Sequence, residues 1–197
     1  MKRSIVFSAL VPFLFAGVVH AADGNVITED GQLIIKATVE GSSCHFSSES
    51  GSSAIIDMKT ISTSDVYKID VGGINPQAWG TGAEAIKIIC PSTIALKNIT
   101  FTPTRYAENN SSLLEDDGGD TTGVGFAVEF YNTDGSTPVK IERGNDVVDV
   151  SGLTGTSTTD GSGIQYTLKF DARWARLAQV VKAGDVKSTI KFTVETD

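Results

Sequence analysis

Apolar and polar residues alternate with period two along most of this chain. Ile164, Tyr166, Leu168, Phe170, Ala172 and Trp174 take turns with Gln165, Thr167, Lys169, Asp171 and Arg173. That is the pattern of a strand with one face in a core and the other in water. Near the C-terminus, Ile190, Phe192 and Val194 alternate with Lys191, Thr193 and Glu195. The spacing predicts a closing strand over Lys187 to Val194 that buries the first three and exposes the other three. Val124, Phe126, Val128 and Phe130 share one strand face, and Ile86, Ile88 and Cys90 another. Toward the N-terminus, Leu33, Ile35, Ala37 and Val39 line one face, with Gly31 in the same register. Ala54 to Ile61 and Ile94 to Phe101 are strand candidates with less regular faces. Leu177 to Val181 reads as a short helical turn, and no long amphipathic helix is predicted anywhere.

The runs are separated by Gly72-Gly73, Asp116 to Gly119, Asp134-Gly135 and Thr156 to Gly163. Gly and Asp supply the positive φ angles that tight turns demand. Short strands punctuated in this way describe a two-sheet sandwich. No internal repeat and no linker divides the chain, and Ser42 to Ser53 reads as a surface loop.

One stretch departs from the alternation. Lys2 and Arg3 precede an almost uninterrupted apolar run from Ile5 to Val19, and Val19-His20-Ala21 follows with small residues at its first and last positions. This is the plan of a secretory signal peptide. As a membrane anchor the run falls short of the roughly 20 residues needed to span a bilayer, and Pro12 interrupts it. Cleavage after Ala21 would start the mature chain at Ala22, with Asp23 the near alternative, and leave 176 of the 197 residues, the size of one domain. Without Lys2 and Arg3, 14 basic residues face 24 acidic ones, a net charge of −10. So acidic a domain is poorly suited to nucleic acid or anionic membranes. Cys44 and Cys90 are the only cysteines, and an even pair in an exported chain reads as one disulfide.

A search for chemistry finds none. Nucleophilic catalysis of the Ser-His-Asp kind needs an imidazole, and His45 is the sole histidine of the mature chain. A metal site likewise lacks ligands. Glu115-Asp116-Asp117 reads as a solvated loop rather than a glycosidase pair or a calcium site. No P-loop, dinucleotide-binding glycine pattern or nucleophile elbow occurs. Trp174 ends an inward-facing row and reads as core, whereas Trp79 sits in a glycine-rich loop that could expose it. The expectation is no enzyme, no cofactor and no metal.

Four segments carry a resemblance. Gly31-Gln32-Leu33-Ile34-Ile35-Lys36-Ala37-Thr38-Val39-Glu40-Gly41-Ser42-Ser43-Cys44 is similar to the alternating N-terminal pattern of pilins of the chaperone–usher pathway, the type 1 and P fimbria superfamily. Val181-Lys182-Ala183-Gly184 with Ile190-Lys191-Phe192-Thr193-Val194 resembles the closing strand of those pilins. Gly123 to Val128 and Leu168 to Trp174 look like two of their internal strands. The order matches along the whole mature chain. Two positions depart: Ala37 stands where the family usually has Gly, and Thr196 where it usually has Tyr.

The resemblance implies an all-β fold, an incomplete immunoglobulin-like sandwich completed by donor-strand exchange. Residues 1–21 would be the signal peptide, 22–40 the N-terminal extension and donor strand, and 41–197 the pilin domain. Gly31, Leu33, Ile35, Ala37 and Val39 would form the donor face, and Ile190, Phe192 and Val194 would edge the acceptor groove. The implied partners are other pilin subunits, a periplasmic chaperone and an outer-membrane usher, with export through the periplasm to a fimbrium on the bacterial surface. Strand addition draws affinity from backbone hydrogen bonds and specificity from alternate side chains, and a head-to-tail contact that does not close makes filaments. On this reading Ala22 to about Lys36 does not pack as a central strand of its own domain. The alternative is a monomeric exported binding module, a lectin-like adhesin domain, and a strand that completes its own sheet would point that way.

Overall fold

The computed structural model describes residues 28–39, 44–48, 51–77, 86–132 and 137–197, with the side chains of 28–30 and 39 outside that description. The signal segment, Trp79 and the Asp134-Gly135 turn therefore lie outside the described residues.

The alternating runs form strands: β1 (Thr28–Val39), β2 (His45–Phe46), β3 (Ser53–Ser62), β4 (Ile86–Cys90), β5 (Leu96–Pro103), β6 (Val124–Phe130), β7 (Val139–Lys140), β8 (Val147–Asp149), β9 (Thr156–Ser157), β10 (Ile164–Leu168), β11 (Phe170–Arg176) and β12 (Gly184–Thr196). One helical turn, α1 (Thr63–Val66), follows β3, with the Ser62 hydroxyl accepting from the Asp65 amide. Leu177 to Val181, expected as a helical turn, is an irregular bend instead. Its backbone carbonyls at Ala178 and Gln179 bond to the Arg176 guanidinium, at 3.0 and 2.8 Å, rather than to one another.

Three hydrogen-bonded sheets make an immunoglobulin-like sandwich: β3-β1-β12-β5-β8, β2-β4-β10-β9 and β11-β6-β7. The long alternation from Ile164 to Trp174 is one apolar face but two strands. At Lys169 the chain passes from pairing with β4 to pairing with β6. The face stays inward while the partner changes, which period alone does not reveal. The less regular face of β3 has a local cause. Asp30 is opposite Thr60 but Gln32 is opposite Asp57, so β3 carries one extra residue there, and Lys59 takes φ 56°.

The core lies between the five-stranded sheet and the other two. Phe101 of β5 meets Phe130 of β6 and Phe192 of β12 at centroid distances of 5.2 and 5.7 Å, and Phe170 of β11 sits 5.9 Å from Phe192. At the other end Trp174 lies 5.0 Å from Phe126, and its Nε1 donates to the Met58 carbonyl at 3.0 Å. A second, smaller cluster of Ala107, Leu113, Ala127 and Ala175 covers the outer side of β6 and β11, so both faces of those strands are buried. Cys44 and Cys90 are joined, with Cα atoms 4.2 Å apart. The bond ties the segment leading out of β1 to the end of β4.

The structure corrects the expectation for the N-terminal segment. Thr28–Val39 is an interior strand of its own five-stranded sheet, antiparallel to β3 and parallel to β12. The sandwich is closed by its own chain. The physical reason is the one that makes an incomplete sheet seek a partner: two unpaired edges flank an apolar slot, and the nearest strand of matching period is at the chain's own N-terminus.

Candidate functional site: the slot between β3 and β12

The slot is built by its two walls. β12 buries Val186, Ser188, Ile190, Phe192 and Val194, leaves Lys187, Lys191 and Glu195 exposed and Thr193 half-buried. The strand is longer than the predicted Lys187 to Val194 because it starts at Gly184. β3 contributes Ile56 and Met58, both fully buried.

Into this slot β1 inserts Leu33 and Ile35, each with no exposed surface, and Ala37, half-buried. The register sets Gly31 beside Val186, Leu33 beside Ser188, Ile35 beside Ile190, Ala37 beside Phe192 and Val39 beside Val194. Fully burying a Leu or Ile side chain stabilises by about 1.5–3 kcal/mol, so these two anchors dominate the docking of β1. Gly31 is where space is tightest. A Cβ there would lie only 2.3 Å from Cη2 and 2.5 Å from Cζ2 of Trp174, and 3.0 Å from the Met58 Cβ. The opposite face of β1, with Gln32, Lys36 and Thr38, is exposed.

The far edge of β12 is occupied differently along its length. From Ile190 onward it pairs with β5. Before that, the acidic loop takes the place of a strand. The Lys187 amide donates to Asp116 Oδ2 at 2.8 Å, and the Asp117 amide donates to the Lys187 carbonyl at 2.8 Å. The Thr189 amide and hydroxyl donate to the two Asp117 carboxylate oxygens at 2.9 and 2.6 Å. The Ser188 hydroxyl, inward-facing beside Leu33, donates to the Glu115 carbonyl at 2.7 Å. The Glu115 side chain is itself buried against the Arg105 guanidinium, 2.5 Å away. This corrects the reading of Glu115-Asp116-Asp117 as a solvated loop: its carboxylates hold the first half of β12. The partners are some seventy residues apart in the chain, and no local signal in the sequence announces them.

Other predicted positions fall into place without joining the slot. His45 is exposed on β2. Among the described residues no group of three or more His, Cys, Asp or Glu side chains is placed to hold a metal ion, and no helix is long and apolar enough to cross a membrane. A cavity of about 440 Å³ near Arg105, Glu115, Asp120 and Leu177 brings no nucleophile and base together.

The described residues form an all-β, immunoglobulin-like sandwich. The chain belongs to the Fimbrial protein family, whose pattern it matches over residues 33–197. That family implies a surface appendage and association with other pilin subunits. No curated protein matches the sequence significantly.

Proposed function

We propose that this chain is a structural subunit of a chaperone–usher fimbria that supports cell adhesion, and that it polymerises by passing residues 28–39 into the slot of another copy. The observation that carries the reading is the position of β1 in its sheet. It is the first strand among the described residues yet sits between β3 and β12. Withdrawing it threads nothing through the fold and leaves two unpaired edges around an apolar gap. Such a gap suits a strand of the same sequence from a second copy, or one from a periplasmic chaperone. Gly31, Leu33, Ile35, Ala37 and Val39 form the donated face. Ile190, Phe192 and Val194 edge the acceptor. Residues 1–21 direct export, and an outer-membrane usher carries the growing fibre to the surface. The chain is a structural part with no catalytic role.

The closed sheet favours a second reading, a monomeric binding module, because here the domain completes itself. The two are separated by Ile35→Asp, produced with chaperone and usher. Ile35 has no exposed surface even in its own slot, so the chaperone must fill the slot while the variant folds. An unpaired charge in an apolar pocket is costly, and we expect a recoverable chaperone complex and no surface fibres. Normal fibres from this variant would overturn the donor assignment. A wild-type chain that stays monomeric beside chaperone and usher would establish the binding module instead.

A further inference from the structure

The register of the self-docked strand sets two lysines side by side. Lys36 lies beside Lys191. Lys36 and Lys191 are both exposed on the outer face of the sheet, on strands about 4.8 Å apart, and neither makes an ion pair among the described residues. The neighbours of Lys36 and Lys191 on the two outer sides are Ser53 and Thr102. Like charges directly opposite on neighbouring strands destabilise the pairing.

The register is fixed against this repulsion by two constraints. Gly31 must lie under the Trp174 indole, where any side chain would overlap. The strand is also tethered: four residues separate Val39 from Cys44, which is bonded to Cys90, so the link reaches at most ~18 Å. Reversing a twelve-residue strand would carry Val39 some ~36 Å away, out of reach of the tether. The chain's own β1 is therefore held in this direction and register. A strand from another copy has no such tether.

We propose that Lys36 and Lys191 form a built-in destabilising contact that readies the chain's own strand for release. Their repulsion weakens the self-docked strand and so eases its release from the slot. This rests on the strand-exchange reading above, and it makes Lys36 the residue that biases the subunit toward donation.

The test is a charge-reversal cycle on the purified self-docked chain. Wild type, Lys36→Glu, Lys191→Glu and the double variant are each mixed with excess synthetic peptide of residues 22–41. Displacement of β1 is followed by native mass spectrometry, and each form's unfolding midpoint is measured beside it. Each single reversal should slow displacement by about two- to five-fold, and the double reversal should restore the wild-type rate. Raising the salt to about 1 M, where screening acts within ~3 Å, should draw all four rates together. Equal rates in low salt for all four forms, with displacement occurring, would overturn the role of the lysine pair in release and leave strand exchange intact. No displacement of any form, even after days, would sink strand exchange and the proposal with it.

Discussion

Gly31→Ala is the sharpest probe of how β1 is seated. The added methyl would sit 2.3 and 2.5 Å from two indole carbons of Trp174 and 3.0 Å from the Met58 Cβ. The indole has little room to retreat: it is 1% exposed, packs on Phe126 at 5.0 Å and donates from Nε1 to the Met58 carbonyl. Overpacking of this kind costs about 1–3 kcal/mol. In a domain of this size that corresponds to a fall in midpoint of roughly 2–12 °C. Thermal and urea unfolding of the self-docked monomer measure the total, and amide exchange locates it. Protection should fall along Gly31 to Thr38 and at their β3 and β12 partners, and hold in β6 and β11. Trp174→Phe provides the internal check, because it removes the two clashing carbons along with the indole N–H. Its cost should be smaller in the Gly31→Ala background than in wild type, giving a favourable coupling between the two sites. A Gly31→Ala midpoint within 1 °C of wild type, or strictly additive costs, would refute the claim that Gly31 sets the register by its fit to the indole.

Three further outcomes follow from the same contacts. Replacing Cys44 and Cys90 together by Ala opens a loop of 46 residues and should lower stability by about 4 kcal/mol in the chain-entropy model, read by urea unfolding against the oxidised parent. Asp117→Ala removes both acceptors of Thr189 and should cost about 2–4 kcal/mol, with Asp117→Asn recovering most of it; an unchanged midpoint for the alanine variant would show that the acidic loop does not hold β12. Burial, and then the neighbouring Asp146 carboxylate that its hydroxyl bonds, push the Tyr106 phenol above its ordinary range. The folded pKa is the higher one, so this contribution is complete below the unfolded value of about 10 and is lost as pH rises past it toward the folded value. Unfolding midpoints should therefore fall above about pH 10, less steeply in Tyr106→Phe, and an ultraviolet titration should show a phenolate step later than that of free tyrosine.

The sequence by itself determined the faces. Period-two alternation named the core-facing side of β6, β10, β11 and β12, because a strand in a sandwich turns alternate residues to the core, but it did not show that β6 and β11 are covered on the outer face too, where Asp171 is buried. It also supplied the cysteine pair and the glycine that β1 needs beneath an indole. What only the tertiary structure decided is who sits beside whom. One apolar row from Ile164 to Trp174 serves two sheets, since a change of neighbour at Lys169 leaves the inward face untouched. The Glu115-Asp116-Asp117 loop looks solvated until β12 is brought to it across some seventy residues. The seating of β1 in its own slot was equally beyond the sequence. A strand with Leu33 and Ile35 on one face buries them equally well in its own sheet or in another's. Alternation fixes the chemistry of that face, whereas the tether through Cys44 and the open edges of β3 and β12 fix where it goes in a single chain.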